Sequence, residues 1–426
     1  MTPSARSQRG ALAVLFGVVF INLVGFGLVV PLLPFFGLSF GVPAWQVSLM
    51  FSAYSLGQFF AEPLWGRLSD RIGRKPVLLA TVVANMVGYL ALAFAPNIWA
   101  AIAIRLFTGF GAGNVSTVQG YVADVTPPER RAGRMGLIGA AFGMGFIVGP
   151  GLGGILTRED MGRLGYQLPL FAAATLCALA ALGVILLLKE SRSPADPSVP
   201  RPAFLSGVRE TTRDPVVSRV LLVTVLYMAG FSGMESTFGF WAGTRYDWGP
   251  REVGLAFMVV GLVSTLCQAL VVGRLARRFG EARLMAAGCL IFGAGLVLQV
   301  TASRLAPDQP LLVPALMAVT AFGMAMVMPN ASALISRASP PDRQGSRLGL
   351  NMAASSSARV FGPPLAGGAF VVFGPDWPYL MGALMMIPAA VMAVNAGRAF
   401  RRSDLARTAR AADPAPVSRP VKFPEV

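Results

Sequence analysis

Five charged side chains stand inside long apolar runs, where charge is costly and usually serves a purpose. Glu235 lies in Gly230-Phe231-Ser232-Gly233-Met234-Glu235-Ser236-Thr237, Glu62 directly precedes Pro63, and Asp124 is near the end of its run. Arg105 stands early in another run, ahead of Gly109, Gly111 and Gly113, and Arg359 lies in a late one. A carboxylate in such a setting is the expected proton carrier, because low dielectric penalises its charged form. The Gly and Ser around Glu235 predict a locally broken helix lining a cavity. Glu235 then serves proton coupling or substrate contact, with structural pairing, for instance to Arg359, as the alternative. For Glu62 the structural reading comes first and coupling second. Arg105 either faces a polar cavity or partner, or snorkels to the interface.

Other chemistry is excluded. The chain has no histidine, which removes Ser-His and Cys-His dyads, zinc-histidine sites and histidine relays. Cys177, Cys267 and Cys289 are scattered through apolar runs, so neither a disulfide framework nor a metal site is expected. No GxxxxGK[ST] segment exists to hold a nucleotide. The sequence therefore points away from an enzyme and away from any resident cofactor or metal.

The elements that must position these residues are membrane helices. Of the 426 residues 54% are hydrophobic and only 13% charged, with a mean hydropathy of +0.62, against about a quarter charged in soluble domains. Apolar runs of the length needed to span a bilayer lie near 11–33, 47–65, 77–95, 98–123, 135–156, 167–188, 218–240, 252–272, 284–303, 311–335, 348–373 and 378–398. The expected fold is an all-α membrane protein of twelve helices in two six-helix bundles. The N-terminal bundle covers 1–188, a cytoplasmic linker 189–217, the C-terminal bundle 218–398, and a disordered cytoplasmic tail 399–426. The first run is long and lacks a small-residue cleavage site, so it reads as a retained helix.

Alternate loops carry the positive charge: Arg67, Arg71, Arg74 and Lys75; Arg130, Arg131 and Arg134; Arg274, Arg277, Arg278 and Arg283; Arg337, Arg343 and Arg347. By the positive-inside rule these loops and both termini are cytoplasmic. The surplus of 36 Lys+Arg over 20 Asp+Glu thus marks topology rather than nucleic-acid binding. An Arg-, Ala-, Gly- and Pro-rich composition reads as bacterial, placing the chain in an inner membrane.

The two halves repeat. Thr126-Pro127-Pro128-Glu129-Arg130 leads to Arg134, as Ser339-Pro340-Pro341-Asp342-Arg343 leads to Arg347. Gly149-Pro150 with Gly153-Gly154 matches Gly362-Pro363 with Gly367-Gly368, and Gly66-Arg67-Leu68 with Gly73 matches Gly273-Arg274-Leu275 with Gly280. Three pairs in one order mark a duplicated unit, the construction by which many secondary transporters alternate access.

With these motifs the chain resembles the major facilitator superfamily over its whole length, and within it the twelve-helix drug:H+ antiporters that include the tetracycline exporters. Gly66-Arg67-Leu68-Ser69-Asp70-Arg71-Ile72-Gly73-Arg74-Lys75-Pro76 matches the signature of loop 2–3. The resemblance implies a gating latch in which Asp70 meets a helix N-terminus, while Arg71 and Arg74 reach carboxylates such as Asp124 or Glu129. A bare positive-inside loop is the plainer reading. The second copy looks degraded, with Arg277 in place of Asp70, so the latch is expected on one side only. Arg105 matches the fourth-helix motif that the family links to proton transfer. Gly145, Gly149, Pro150, Gly153 and Gly154 match the fifth-helix motif associated with export. Where tetracycline exporters carry an aspartate in the first helix, this chain has Asn22, which shifts proton coupling to Glu235, Arg105 or Glu62.

Candidate substrate-cavity residues are Asn22, Phe26, Asn114, Gln119, Tyr227, Met234, Phe238, Gln268, Asn330 and Arg359, with Trp241, Met324 and Met328 as further apolar wall. The expected function is proton-coupled export of small amphipathic molecules or drugs by a monomer, with protons, substrate and lipid as partners. An importer of a nutrient or metabolite, a non-transporting membrane sensor and a membrane-embedded enzyme are the rivals.

Overall fold

Small residues set how closely these helices pack, and glycine contacts mark the main seams. The computed structural model describes residues 5–191, 213–340 and 343–412, without the side chains of 5–14, 128–133, 135–139, 142, 404 and 406–412. Most of the expected linker, and the tail beyond 412, lie outside these residues, as does the side chain of Glu129.

The first half comprises α1 (Ala5–Val29), α2 (Leu33–Leu38), α3 (Ala44–Ile72), α4 (Arg74–Ala93), α5 (Ile98–Ala112), α6 (Val115–Val125), α7 (Pro128–Leu156) and α8 (Arg163–Leu187). The second comprises α9 (Val217–Tyr246), α10 (Pro250–Cys267), α11 (Gly273–Phe279), α12 (Glu281–Leu305), α13 (Leu312–Ala338), α14 (Gln344–Phe373) and α15 (Trp377–Ala412). A π-helical turn, Gln268–Val272, joins α10 to α11. Among the described residues there is no strand. Helix ends follow local chemistry. The Asn97 side chain accepts the Ala100 N–H at the start of α5, and Gly73 and Gly280 separate consecutive helices at φ +102° and +84°, a region that favours glycine.

Every expected apolar run falls on helix. Eight helical segments among the described residues are long and apolar enough to cross a bilayer, from Arg74–Ala93 to Trp377–Ser403. Among the described side chains, α1 and α7 contribute the apolar stretches Leu15–Val29 and Gly143–Leu156. The remaining helices, α3 and α14, carry more polar residues and pack on each other across the two halves. Two expectations change. The helix around Glu235 is not broken: α9 runs unbroken from Val217 to Tyr246, and its glycines bring Gly230 against Gly382 and Gly233 against Ala366. The last helix continues to Ala412, so the tail expected from 399 is helical over its first part.

The α7 glycines serve two neighbours. A Cβ on Gly145, Gly149 or Gly153 would meet Leu23, Gly27 or Leu28 of α1 within 3 Å. One on Gly151 or Gly154 would meet Met258 or Pro250 of α10 as closely. On the α10 side, Gly254 and Gly261 lie against the carbonyls of Pro150 and Phe146. Two faces of one helix thus bind the first half together and join it to the second. At the end away from the basic loops, hereafter the far end, the halves also meet where Gly239 touches Pro34 and Gly367 touches Ser48 and Trp45. At the basic end a Cβ on Gly345 or Gly349 of α14 would meet open space.

Candidate functional site

A stack of charge and aromatic rings crosses the junction of the halves. Arg105 is fully buried, with its guanidinium 4.3 Å from the centre of the Tyr54 ring. Tyr54 lies 5.1 Å from the Phe26 ring. The Arg359 guanidinium lies 5.7 Å from the centre of the Phe26 ring, and Arg359 donates to Glu235 Oε2 at 3.2 Å. The elements carrying these residues are α5, α3, α1, α14 and α9. Tyr54, Arg105, Glu235 and Arg359 lie roughly 10–20 Å along their helices from the far end, and Phe26 about 5 Å from the end of α1, at 1.5 Å per residue. Arg105 therefore does not snorkel: burial and the ring contact hold it in the protein.

Two polar groups in this stack are left over. Among the described residues, Nε and both Nη atoms of Arg105 have no hydrogen-bond partner, and neither has Glu235 Oε1. The two side chains are close enough for each charge to act on the other.

Beside the stack runs an amide ladder. Asn85 donates to Asn22 Oδ1 at 3.3 Å, Asn22 to Asn114 Oδ1 at 3.3 Å, and Asn114 to Thr81 Oγ1 at 3.0 Å. Asn22, which replaces an acid in the tetracycline pattern, is thus a hydrogen-bonding link with no charge to titrate. Glu62 is half-buried; its carbonyl accepts from Ser116, and its carboxylate pairs with none of the described residues.

The other cavity candidates divide. Tyr227 is buried against the Phe231 and Phe292 rings, Met234 is buried, and Asn330 donates back to the Met326 carbonyl of its own helix. Phe238 is a correction: it packs among Trp241, Trp248 and Phe257 in an aromatic core near the far end, as does Trp241 with Tyr246 and Tyr379. Gln119 and Gln268 are exposed and join neither the stack nor the ladder.

At the basic end Arg74 is the hub. It pairs with Asp70 at 2.8 Å and Asp124 at 3.1 Å, its side chain only 7% exposed, and also donates to Ser69 Oγ. Glu190 accepts the backbone N–H groups of Arg74 and Lys75, a carboxylate on the positive start of α4. Arg71 is exposed and pairs with neither Asp124 nor any other described residue. Gly66 approaches Ser116 of α6. The second copy is not merely degraded. Glu281 follows Gly280 as Arg74 follows Gly73, and Arg337 precedes Ser339-Pro340 as Asp124 precedes Thr126-Pro127. Arg337 and Glu281 pair at 2.6 Å, so the ion pair recurs with its charges exchanged. Arg337 is 56% exposed, which makes this copy the weaker of the two.

The sequence reading missed a further cluster. Asp376, 3% exposed, accepts from Trp241, Arg245 and Arg304 at the far end. Burial works against its charge, but the hydrogen bonds from Arg304, Arg245 and Trp241 outweigh this and hold Asp376 below the usual carboxylate range. Tyr54, Thr81 and Asn85 were missed as well. Each is a single residue in an ordinary apolar run, with no motif around it. No group of three or more Cys, Asp or Glu that could hold a metal occurs among the described residues.

Helical halves built as repeats, joined through small residues around a buried charge pair, are the architecture of a secondary transporter. The sequence profile of the Major Facilitator Superfamily matches residues 15–268 and 220–421, and the chain belongs to that family. It is 32% identical to the class C tetracycline resistance protein of Escherichia coli, over 89% of this chain and 95% of that one. It is 25% identical to multidrug resistance protein 2 of Bacillus subtilis, over 91% and 95%. The crystal structure of the human organic anion transporter MFSD10 (TETRAN) superposes with a TM-score of 0.66 at 25% identity, covering 92% of this chain and all of that one. The protein is a multi-pass membrane transporter of small molecules, and its relatives are transporters rather than enzymes.

Proposed function

We propose that the protein is a proton-coupled exporter of small amphipathic molecules or drugs, an antiporter working by alternating access. The observation that carries this reading is Glu235, shut into the junction of the halves, held by Arg359 and within the field of Arg105. A proton on Glu235 removes the charge that holds Arg359, and a cationic substrate group competes for the same carboxylate. Two ligands that exclude one another at one site are exchanged, not carried together. Glu62 and Arg105 are the accessory coupling residues. The two-faced glycine seam of α7 supports rocking of one half on the other, and the names of the tetracycline and multidrug resistance relatives support efflux.

The charge bias supports a cytoplasmic basic end and cytoplasmic termini, a reading that goes with twelve crossings of a bacterial inner membrane. The far-end contacts then close the outside, and the Arg74–Asp70–Asp124 cluster is the cytoplasmic latch. The transporter works as a monomer, without a cofactor, on the proton gradient. The test is accumulation of labelled tetracycline, and of dyes from a drug panel, in inverted vesicles. Accumulation that collapses on adding an uncoupler is expected. Accumulation indifferent to the uncoupler, or uptake into intact cells instead, would overturn the reading.

A further inference from the structure

Away from the junction, positive charge collects where the last helix leaves its apolar run. Arg398, Arg401, Arg402, Arg407 and Arg410 follow one another along α15 against a single acid, Asp404. An arginine cluster of this kind just beyond a spanning helix is attracted to an anionic lipid surface. Part of the cluster belongs to a shaped site. A cavity of about 510 Å³ opens between the start of α9 and the end of α15, and Pro215, Arg219, Asn395, Arg398, Arg402 and Ser403 are among the residues lining it. Its volume is in the range of ligand pockets, about 300–1,000 Å³. Arg219 stands four residues after Pro215, and Asn395, Arg398 and Arg402 recur at helical spacing, so each helix brings one ridge of residues to the same space. Arg219 donates back to the Pro215 carbonyl and Arg398 to Asn395 Oδ1. Among the described residues no carboxylate lines the cavity. Asp214, next to Pro215 in sequence, is already taken: it accepts the N–H groups of Val216 and Val217 and pairs with Arg347 at 2.7 Å. A neighbouring cavity of about 210 Å³, on another face of α15, also holds arginines, Arg283, Arg337 and Arg401, but it contains Glu281, which pairs with Arg337. That cavity carries its own counter-ion. The larger one does not.

We infer that the cavity between α9 and α15 is a binding site for the phosphate headgroup of an acidic phospholipid. Guanidinium groups match phosphate oxygens with two parallel hydrogen bonds, and three of them supply the charge that the cavity leaves uncompensated. The surface below the cavity points to a lipid rather than a free anion. Leu384, Ile387, Val391 and Val394 form an exposed apolar stripe on α15, and the same spacing of three and four residues carries it on to Arg398 and Arg402. On α9, Leu222 is exposed three residues after Arg219. Each helix therefore passes from an apolar surface that suits an acyl chain to a guanidinium that suits a headgroup. A soluble phosphate would use the arginines and leave the stripe without a role; a phospholipid uses both. A headgroup held there ties the start of α9, the helix that carries Glu235, to the last helix of the chain. The site lies at the basic end, apart from the junction of the halves, and does not rest on the export reading.

The test titrates the purified full-length protein in detergent with dioleoyl-phosphatidylglycerol, and separately with dioleoyl-phosphatidylethanolamine, and reads bound lipid by native mass spectrometry. The wild type is expected to hold phosphatidylglycerol roughly tenfold more tightly than the net-neutral lipid, since each arginine near a membrane surface adds about fivefold to the attraction for an anionic headgroup. Replacing two of the three, Arg219→Gln with Arg402→Gln, should lower phosphatidylglycerol affinity by roughly tenfold or more and leave phosphatidylethanolamine binding unchanged. Arg401→Gln removes the same kind of charge from the neighbouring cavity and should leave the lipid preference as in the wild type. If the Arg219/Arg402 variant does not fold, Arg398→Gln with Arg402→Gln, both exposed on α15, should give the same loss. Equal binding of the two lipids by the wild type overturns the inference. So does a loss in Arg401→Gln as large as in the double variant, which would mean diffuse surface charge rather than a site. Displacement of the lipid by equimolar glycerophosphoglycerol, the headgroup without its chains, would assign the cavity to a soluble phosphodiester and overturn the lipid assignment. The measurement uses neither a gradient nor a transported substrate, so its failure and the failure of the export reading are distinct results.

Discussion

Removing either partner of the Glu235–Arg359 pair should have unequal consequences, and the inequality can be worked from burial. The Glu235 side chain is 1% exposed and that of Arg359 is 23% exposed. Arg359→Gln leaves a carboxylate with no route to water and only Arg105 as a nearby countercharge. Breaking a buried pair in this way costs about 3–5 kcal/mol. Glu235→Gln leaves an Arg359 guanidinium that is partly open and already faces the Phe26 ring, and an Arg105 that made no hydrogen bond to it, so its loss should be nearer about 1.5–2 kcal/mol, at the lower end of the range for a lost hydrogen bond to a charged group. The double substitution removes both charges and should cost less than the sum of the single ones by about 1–3 kcal/mol, the coupling expected of groups in contact.

For a chain of this size each kcal/mol moves the melting temperature by no more than about 2–4 °C. Arg359→Gln should therefore melt several degrees below Glu235→Gln, and the double variant above Arg359→Gln. Differential scanning fluorimetry of the purified variants at one fixed scan rate measures this, the fixed rate being needed because such unfolding is often irreversible. The functional arm uses the same proteins in vesicles. Glu235→Gln, which cannot cycle a proton, should stop transport driven by a pH gradient while substrate exchange survives, and Glu235→Asp should keep partial function. A Glu235→Gln protein that melts below Arg359→Gln, or a strictly additive double variant, would refute the argument that the pair is a buried unit.

Three further outcomes follow from the geometry. Asp70→Asn should leave Arg74 still paired with Asp124 and the protein inserted, yet slow or abolish transport; unchanged transport at equal expression would remove the latch. Gly109→Ala would place a Cβ 2.0 Å from the Tyr54 carbonyl oxygen, so α5 and α3 must separate; a loss of about 1–3 kcal/mol is expected, with Arg105 displaced from Tyr54, and a melting temperature equal to wild type would contradict it. Asp376 has a folded pKa below its unfolded one, so its stabilisation is complete above about pH 4, the unfolded aspartate value, and is lost as the pH falls through the folded pKa. Asp376→Asn should therefore melt lower than wild type from pH 7 down to 5 by a constant margin, and the two curves should converge only in stronger acid; convergence already by pH 5 would show that its arginine and tryptophan partners do not hold its charge.

How much of this was legible depended on whether a property belongs to a segment or to a relation between segments. The membrane helices were legible because each apolar run carries its own evidence, and so were the α7 glycines, whose regular spacing along one helix implies close neighbours. Glu235, Arg105 and Arg359 were legible one at a time, because a charge in an apolar run is conspicuous wherever it points. Tyr54, Asn85 and Thr81 were not: each is unremarkable in its own run, and what makes it part of the centre is the rotation of α3 or α4 about its axis, which packing against other helices decides. The same distinction explains two of the misread features. The glycines near Glu235 resemble a break in sequence, but here they answer to Gly382 and Ala366 on neighbouring helices, so their smallness is spent on approach and α9 stays continuous. The second loop signature looks degraded when compared residue by residue, since Arg277 stands where Asp70 does. Compared as pairs it keeps its interaction, Arg74 with Asp124 in one half and Glu281 with Arg337 in the other. Attraction between two positions is unchanged when both charges are reversed, so complementarity can outlast the identity of either residue, and a repeat of this kind is visible only once both ends of the contact are in view.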